Sequence, residues 1–334
     1  MITDKLLTVV VPTYNTEKLL PRCLDSLIVE DFMPLLEVLV IIDGSPDNSV
    51  EVAEKYASLY PDTFIVINKE NGGHGSTINK GIELATGKYF KVLDSDDWFD
   101  REVFSEFLEE LQTINVDIIL TDYTKEYVYE NKKEVVKLNN VLYENIYIVK
   151  DFDLNKQNWD FASMARSTYK TIFLKRIELL LPENTFYVDT ILSIAPLFYF
   201  DNFVYINKNL YKYFIGRQDQ SMNQDNILKN RDHIKKNYSI IVTKFNKESQ
   251  NISKNRKLFL SQFLANQLTN IYILKSQLSY KQAKKELRDW NQYVKKTAKK
   301  TERINSRFYV LYNLLPFWLY KQLFNLYSKV RNKK

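Results

Sequence analysis

Asp94-Ser95-Asp96-Asp97 places three carboxylates in four residues, directly after the β-prone run Tyr89–Leu93. In an extended chain residues two apart project the same way, so Asp94 and Asp96 can share one target. Two carboxylates facing one point repel each other unless a cation or donors stand between them. Mg²⁺ suits such a site, because it keeps waters and accepts one or two carboxylates together with phosphate oxygens. The competing use is an N-cap cluster for a helix beginning near Arg101. Position at a strand end beside a glycine-rich segment favours the ligand site. Asp43-Gly44-Ser45-Pro46-Asp47-Asn48-Ser49 reads as a turn and helix start. That role accounts for Gly44, Pro46 and Asp47 but leaves Asp43 at a strand terminus, where it can accept from a nucleobase imide N–H. Residues 71–81, with Asn71, Gly72, Gly73, His74, Gly75, Asn79 and Lys80, are built like a phosphate cradle entering a helix. They match neither the Walker A nor the dinucleotide spacing. Lys80 serves equally well as a charge for a diphosphate or as a solvated helix lysine.

These residues need a scaffold that brings them together. The chain has seven glycines, and six of them fall between Gly44 and Gly87. Glycine is used for positive φ or close backbone approach, which points to a ligand-contacting region between Asp43 and Asp97. Across the first 120 residues, continuous β-prone runs alternate with helical spacing. Strands are expected at Leu6–Val11, Leu36–Ile42, Phe64–Ile67, Tyr89–Leu93 and Val116–Leu120. Helices are expected at Glu17–Val29, Asp47–Tyr60, Ser76–Ala85 and Glu102–Leu111. The pattern predicts a mostly parallel α/β sheet with helices on both faces, whose ligands bind beyond the strands' carboxyl ends. Pro12–Asn15, Asp43–Ser49, Asn71–Gly81 and Asp94–Asp97 all follow such ends. A hairpin is expected near Asn131–Lys133, and short strands at Phe203–Ile206 and Leu210–Ile215. Helices follow at Gln224–Glu248, Arg256–Leu278 and Tyr280–Lys299.

In this order, the motifs resemble an inverting family 2 glycosyltransferase of the GT-A (Rossmann-like) fold, over roughly residues 5–221. They are Val10-Val11-Pro12-Thr13-Tyr14-Asn15, the Asp43–Ser49 segment, the glycine segment and the DxD motif Asp94-Ser95-Asp96. Many bacterial members build capsule, exopolysaccharide or cell-wall glycans. The resemblance implies a nucleotide-sugar half over residues 1–100 and an acceptor half over 101–222; the Lys-rich composition marks residues 223–334 as a basic helical region. It implies nucleotide-sugar contacts along Pro12, Thr13, Tyr14, Asn15, Asp43, Asn71, Gly72, Gly73, Asn79, Lys80, Asp94 and Ser95. Thr13, Tyr14 and Asp43 would hold the base, most often uridine, and Asp94 the ribose or sugar. Asp96 would ligate Mg²⁺ or Mn²⁺. The family's catalytic base is the Asp of an acidic pair before a helix. The matching segment is Phe186-Tyr187-Val188-Asp189-Thr190, which nominates Asp189 although Val188 replaces the first acid. A helix N-cap is the alternative use of Asp189. Residues 211–221 resemble the family's Tyr-x-Tyr-Arg…Ser segment, with the arginine displaced to Arg217, which would reach a phosphate.

Of the 334 residues, 45% are hydrophobic and 26% charged, which excludes a disordered chain, a collagen or a coiled coil. One cysteine and two histidines leave no intrachain disulfide and direct any metal to carboxylates. No secretory signal or stretch of 18 apolar residues is found, so a cytoplasmic protein is expected. The net charge of +6 is a tail property: residues 281–334 carry 15 Lys and Arg against 3 Asp and Glu, leaving −6 for the rest. Residues 307–330 add eight aromatics, among them Phe308, Tyr312, Phe317 and Trp318. They read as an interfacial helix on anionic lipid at the inner membrane face, near a glycan or lipid-linked acceptor, or else as a helix packed on the core. No nucleic-acid recognition motif accompanies the charge. The terminal helices could also form a homodimer or cap the acceptor site. Two rival functions fit less well: a glycan-binding scaffold without catalysis, and a sugar nucleotidyltransferase, which needs a glycine- and arginine-rich loop where Pro12-Thr13-Tyr14-Asn15 stands.

Overall fold

The structure, a computed structural model, describes residues 5–157, 159–217, 220–221 and 223–331. The chain divides into two compact units, Met1–Gln220 and Ser221–Lys334.

The first unit opens with β1 (Leu7–Thr13), α1 (Leu20–Asp25), β2 (Leu36–Asp43), α2 (Ser49–Leu59), β3 (Phe64–Lys69), α3 (His74–Leu84) and β4 (Tyr89–Val92). Every residue of β1, β2 and β4 is buried, as continuous apolar strands must be when helices cover both faces. Pro21 opens α1 and confines it to a shorter span than the apolar spacing of Glu17–Val29 suggests. Next come β5 (Trp98–Phe99), α4 (Arg101–Thr113), β6 (Ile118–Tyr127), β7 (Lys132–Val136) and β8 (Ile146–Ile148). The unit closes with β9 (Ser167–Lys170), α5 (Thr171–Arg176), α6 (Asp189–Ile194) and β10 (Asn202–Ile215).

The strands form one sheet in the order β3-β2-β1-β4-β9-β6-β10-β5, with β7 added to β6 and β8 to β10. The expected mostly parallel sheet is in fact mixed. β3, β2, β1 and β4 run parallel, as do β6 and β10. β9 lies antiparallel between β4 and β6. β9 is the short polar run Ser167-Thr168-Tyr169-Lys170, which carries no apolar periodicity to betray it. The two short strands expected after residue 202 are one strand, β10, whose register shifts around Asn209. The hairpin falls where expected, with Asn131 at φ 50° between β6 and β7.

A buried ionic network ties the chain before β9 to β6. Arg166 is fully buried. Its guanidinium donates to Asp160 at 2.9 Å and to the Thr121 carbonyl at 2.9 Å, and lies 3.5 Å from Asp122. Tyr143 donates to Asp122 at 2.9 Å, and Tyr205 also donates to it.

The second unit contains α7 (Gln224–Lys229), α8 (Arg231–Glu248), α9 (Lys254–Ser276), α10 (Tyr280–Thr297), α11 (Lys300–Asn305), α12 (Arg307–Leu314) and α13 (Phe317–Arg331). The α9 helix is apolar on several sides, and α8, α10, α11, α12 and α13 pack against it. Pro316 separates α12 from α13, and α13 buries Tyr320 and Phe324. Among the described residues, no helix is long and apolar enough to cross a membrane.

Removing one partner of a buried ion pair leaves an uncompensated charge. Arg166→Ala is therefore expected to lower stability by about 3–5 kcal/mol, read from the urea midpoint. A loss below about 1 kcal/mol would show that the network does not depend on the Arg166 charge.

Candidate active site

The acidic motif leaves the sheet at the end of β4, and its three carboxylates lie within 4.8 Å of one another. Each is braced differently. Asp97 is buried and accepts from the Tyr211 hydroxyl at 2.5 Å and the Phe214 amide at 2.8 Å. Burial and its acidic neighbours push its carboxyl well up. Asp96 pairs with Arg217 at 3.0 Å. Burial and the neighbouring Asp94 raise the Asp96 carboxyl to about 6, against the pull of Arg217. Asp94 takes the His74 ring nitrogen at 2.8 Å. Ser95 turns away from the cleft, its hydroxyl 2.9 Å from that of Thr16. Arg22 of α1 closes the back of the motif: it donates to the Asp96 carbonyl at 2.8 Å and lies 3.7 Å over the Trp98 ring. Asp94 engages His74 through Oδ1 and Asp96 engages Arg217 through Oδ2, so each keeps a second oxygen. Hard oxygen donors gathered under mutual repulsion fit Mg²⁺ or Mn²⁺.

The glycine segment is shaped by the protein itself. Asp43 is 3% exposed. Its carboxylate accepts from the Gly72 amide at 3.0 Å, the Gly73 amide at 2.7 Å and Lys69 at 2.7 Å. The amides expected to cradle a phosphate are thus engaged with Asp43, and Asn71 donates to the Asp43 carbonyl at 2.8 Å. Gly73 has φ +81° and Gly75 has no room for a Cβ, which would stand 2.5 Å from the Pro182 carbonyl. Both glycines let residues 181–185 lie on the start of α3. Asn79 is part of the same clamp. It donates to the Leu181 carbonyl at 2.9 Å and accepts the Leu181 amide at 2.8 Å, so its amide is engaged at both ends. Lys80 pairs with Glu83 at 3.0 Å along α3. At the end of β1, Pro12 and Thr13 are buried in the strand, whereas Tyr14 is 52% exposed. Asn15 adopts φ +55° and donates its amide to Ser45 at 2.7 Å.

The clamp carries the chain to Asp189, which opens α6 in its first turn, with Val188 as the N-cap. Asp189 is exposed in the chain, and desolvation by the protein around it raises its carboxyl. His74 pulls it back down and Asp94 pushes it up. On His74, desolvation opposes the charged form, and the fields of Asp94, Asp189 and Asp96 overcome it and raise the imidazole. His74, Asp94, Asp96 and Asp189 therefore share one electrostatic site. Arg217 joins it through Asp96, while Gln218 and Asp219 of the same segment lie outside the described residues.

Sequence reasoning passed over His74, Lys69, Arg22, Asp97 and Tyr211 as site residues. A signal existed for His74, one of two histidines and the centre of the glycine segment. Tyr211, the first tyrosine of the Tyr-x-Tyr segment, reaches Asp97 from 114 positions away, and Arg22 reaches Asp96 from 74 positions away with no local pattern to mark it.

A parallel sheet segment ending in an acidic motif, with a second acidic segment facing it, defines a GT-A-type fold. The chain belongs to glycosyltransferase family 2: the profile described as "Glycosyl transferase family 2" matches residues 8–176. The glycosyltransferase GlyA of Streptococcus pneumoniae is 27% identical over 221 residues, 65% of this chain and 32% of that protein. An uncharacterized glycosyltransferase of Mycoplasma genitalium, MG060, is 30% identical over 220 residues, 65% of this chain and 71% of its own. The match thus spans about a third of GlyA, and likewise 34% of the putative glycosyltransferase EpsH of Bacillus subtilis. The crystal structure of S. aureus TarS 1-349 shares the fold at a TM-score of 0.70 and 17% identity, over 97% of this chain and 91% of that one.

A carboxyl that binds its proton more tightly when folded than when unfolded destabilises the fold once ionised. For Asp96 the window runs from 3.8 to about 6, and its contribution to stability falls as pH rises through it. Asp96→Asn lacks this titration. In EDTA it is expected to gain on the order of 1–3 kcal/mol over the parent between pH 4 and pH 7, measured as urea midpoints. A constant difference across that range would show the charge to be fully compensated by Arg217.

Proposed function

We propose that the chain is an inverting glycosyltransferase, moving a sugar from a nucleotide-sugar, UDP-linked, to a hydroxyl of a glycan or lipid-linked acceptor. The observation that carries this reading is the gathering of Asp94, Asp96 and Asp97 within 4.8 Å after β4, with His74 at 2.8 Å on Asp94; Asp189 is near enough to shift the His74 imidazole. The sheet half up to β4 takes the nucleotide and the following half takes the acceptor. The exposed Tyr14 ring offers a face for the base, beside the turn that Asp43 holds. Asp94 and Asp96 would hold Mg²⁺ or Mn²⁺, which when bound stabilises charge developing on the leaving diphosphate. Arg217, already on Asp96, is placed to follow that charge. TarS has been crystallised with UDP and with UDP-GlcNAc, and the mannosyltransferase PcManGT from Pyrobaculum calidifontis with GDP-Man and Mn2+.

The acceptor hydroxyl must lose a proton as it attacks the anomeric carbon. Asp189 takes that proton, and the desolvation that raises its carboxyl makes it a better base than a free aspartate. Its exposure leaves the acceptor a way in. His74 fixes Asp94 at 2.8 Å, and the neighbouring carboxylates favour its charged form. A single displacement inverts the anomeric centre, so an α-linked donor gives a β-glycoside. The exposed Leu314, Trp318 and Leu326 opposite the buried Tyr320 and Phe324 support a lipid-surface location for the acceptor.

Incubation with a panel of nucleotide-sugars and Mn²⁺, following nucleotide release, tests the class and identifies the donor. Release that EDTA abolishes is expected from one UDP-sugar, and release of pyrophosphate would contradict the reading. Asp189→Asn is expected to keep UDP binding by calorimetry while kcat falls about 10²–10⁴-fold; near-normal turnover would remove Asp189 as the base. Asp96→Ala should abolish the metal-dependent part of UDP binding, and unchanged binding would remove Asp96 as a ligand.

A further inference from the structure

In the second unit, a cavity of about 340 Å³ opens between the start of α10 and the junction of α12 with α13. One wall is cationic: Lys281, Lys284, Lys285 and Arg288 line it. Their spacing of i, i+3, i+4 and i+7 stacks all four on one face of α10. Like charges at these separations repel and destabilise the helix. Among the described residues no acid pairs with the three lysines, and Arg288 meets the exposed Asp289 at 3.3 Å. The nearby acid Glu286 is turned to Arg231 at 2.6 Å and Lys275 at 2.7 Å. Ser279, which could cap the first-turn amides of α10, donates instead to Gln282 at 2.8 Å. The amides at this end of the helix therefore add their own positive field.

The opposite wall is aromatic. Tyr280 and Phe317 meet edge to face at 5.0 Å, and Tyr312 stands behind them, 6.4 Å from Phe317. Leu314 and Trp318, which neighbour the lining residues Tyr312 and Phe317 in the chain, are 73% and 55% exposed. A cationic wall against an aromatic one, flanked in the chain by exposed apolar side chains, matches an amphiphile with an anionic head. We propose that this cavity binds the phosphate headgroup of an anionic lipid, its acyl chains lying against Leu314 and Trp318. The phosphate oxygens accept from the lysines and Arg288, and the aromatic wall takes the glycerol backbone. The site is distinct from the acidic cleft and stands on its own geometry, whatever sugar is transferred.

The test uses the full chain at 0.15 M salt with vesicles of phosphatidylcholine, with and without phosphatidylglycerol, followed by co-sedimentation. Binding is expected only with phosphatidylglycerol. The exposed pair Lys284→Glu and Arg288→Glu should weaken it tenfold or more, on the order expected for two cations at a lipid surface. Lys295→Glu with Lys296→Glu, two turns further along α10, makes the same charge change outside the cavity and should weaken it far less. Equal losses in the two variants, or no binding to phosphatidylglycerol, would overturn the proposal. Saturable binding of soluble glycerol phosphate without vesicle binding would overturn the lipid assignment. Glycosyl transfer is not read in this experiment, so its outcome is independent of the activity.

Discussion

The mutual repulsion of Asp94, Asp96 and Asp97 is the constraint around which the first unit is arranged. Three carboxylates so close in a partly desolvated place cannot stay ionised without donors aimed at them. The chain supplies a different kind of donor to each. Asp97 gets a phenol and a backbone amide from β10, Asp96 a guanidinium from the segment after β10, and Asp94 an imidazole from α3. These contacts draw α3, β4 and β10 to one point. They also leave the charge of the cluster only partly balanced.

Legibility in the sequence followed burial. β1, β2 and β4 are apolar without interruption, and they appear within a residue or two of where the pattern puts them. β9 was invisible because a four-residue polar strand owes its state to its neighbours. The glycine segment was legible as a place of close approach, and two of its glycines let the chain approach itself: Gly75 to Pro182, and Gly81 to Val10. Asp94, Asp96 and Asp189 could be nominated because motifs carry them. The groups that tune them could not, since His74, Arg22 and Tyr211 act through contacts that exist only once the sheet is built.

The second unit shows the same division. Its long helices followed from composition, but the packing of others around α9 did not. Nor did the break at Pro316, which turns one aromatic run into two short helices. That break lets Tyr320 and Phe324 pack inward while Trp318 and Leu326 stay outside.

The clamp between α3 and residues 181–185 has a consequence for modularity. Asn79 and Leu181 are joined by two hydrogen bonds across 102 positions, and the Asn184 amide reaches the Gly72 carbonyl at 2.7 Å. The segment that leads to Asp189 is thus moulded onto the segment that Asp43 shapes, so the two pack as one unit. Replacing residues 181–185 alone would fail to seat unless the α3 start, with Gly73, Gly75 and Asn79, travelled with them. Any segment grafted at this place must therefore bring its own glycine segment.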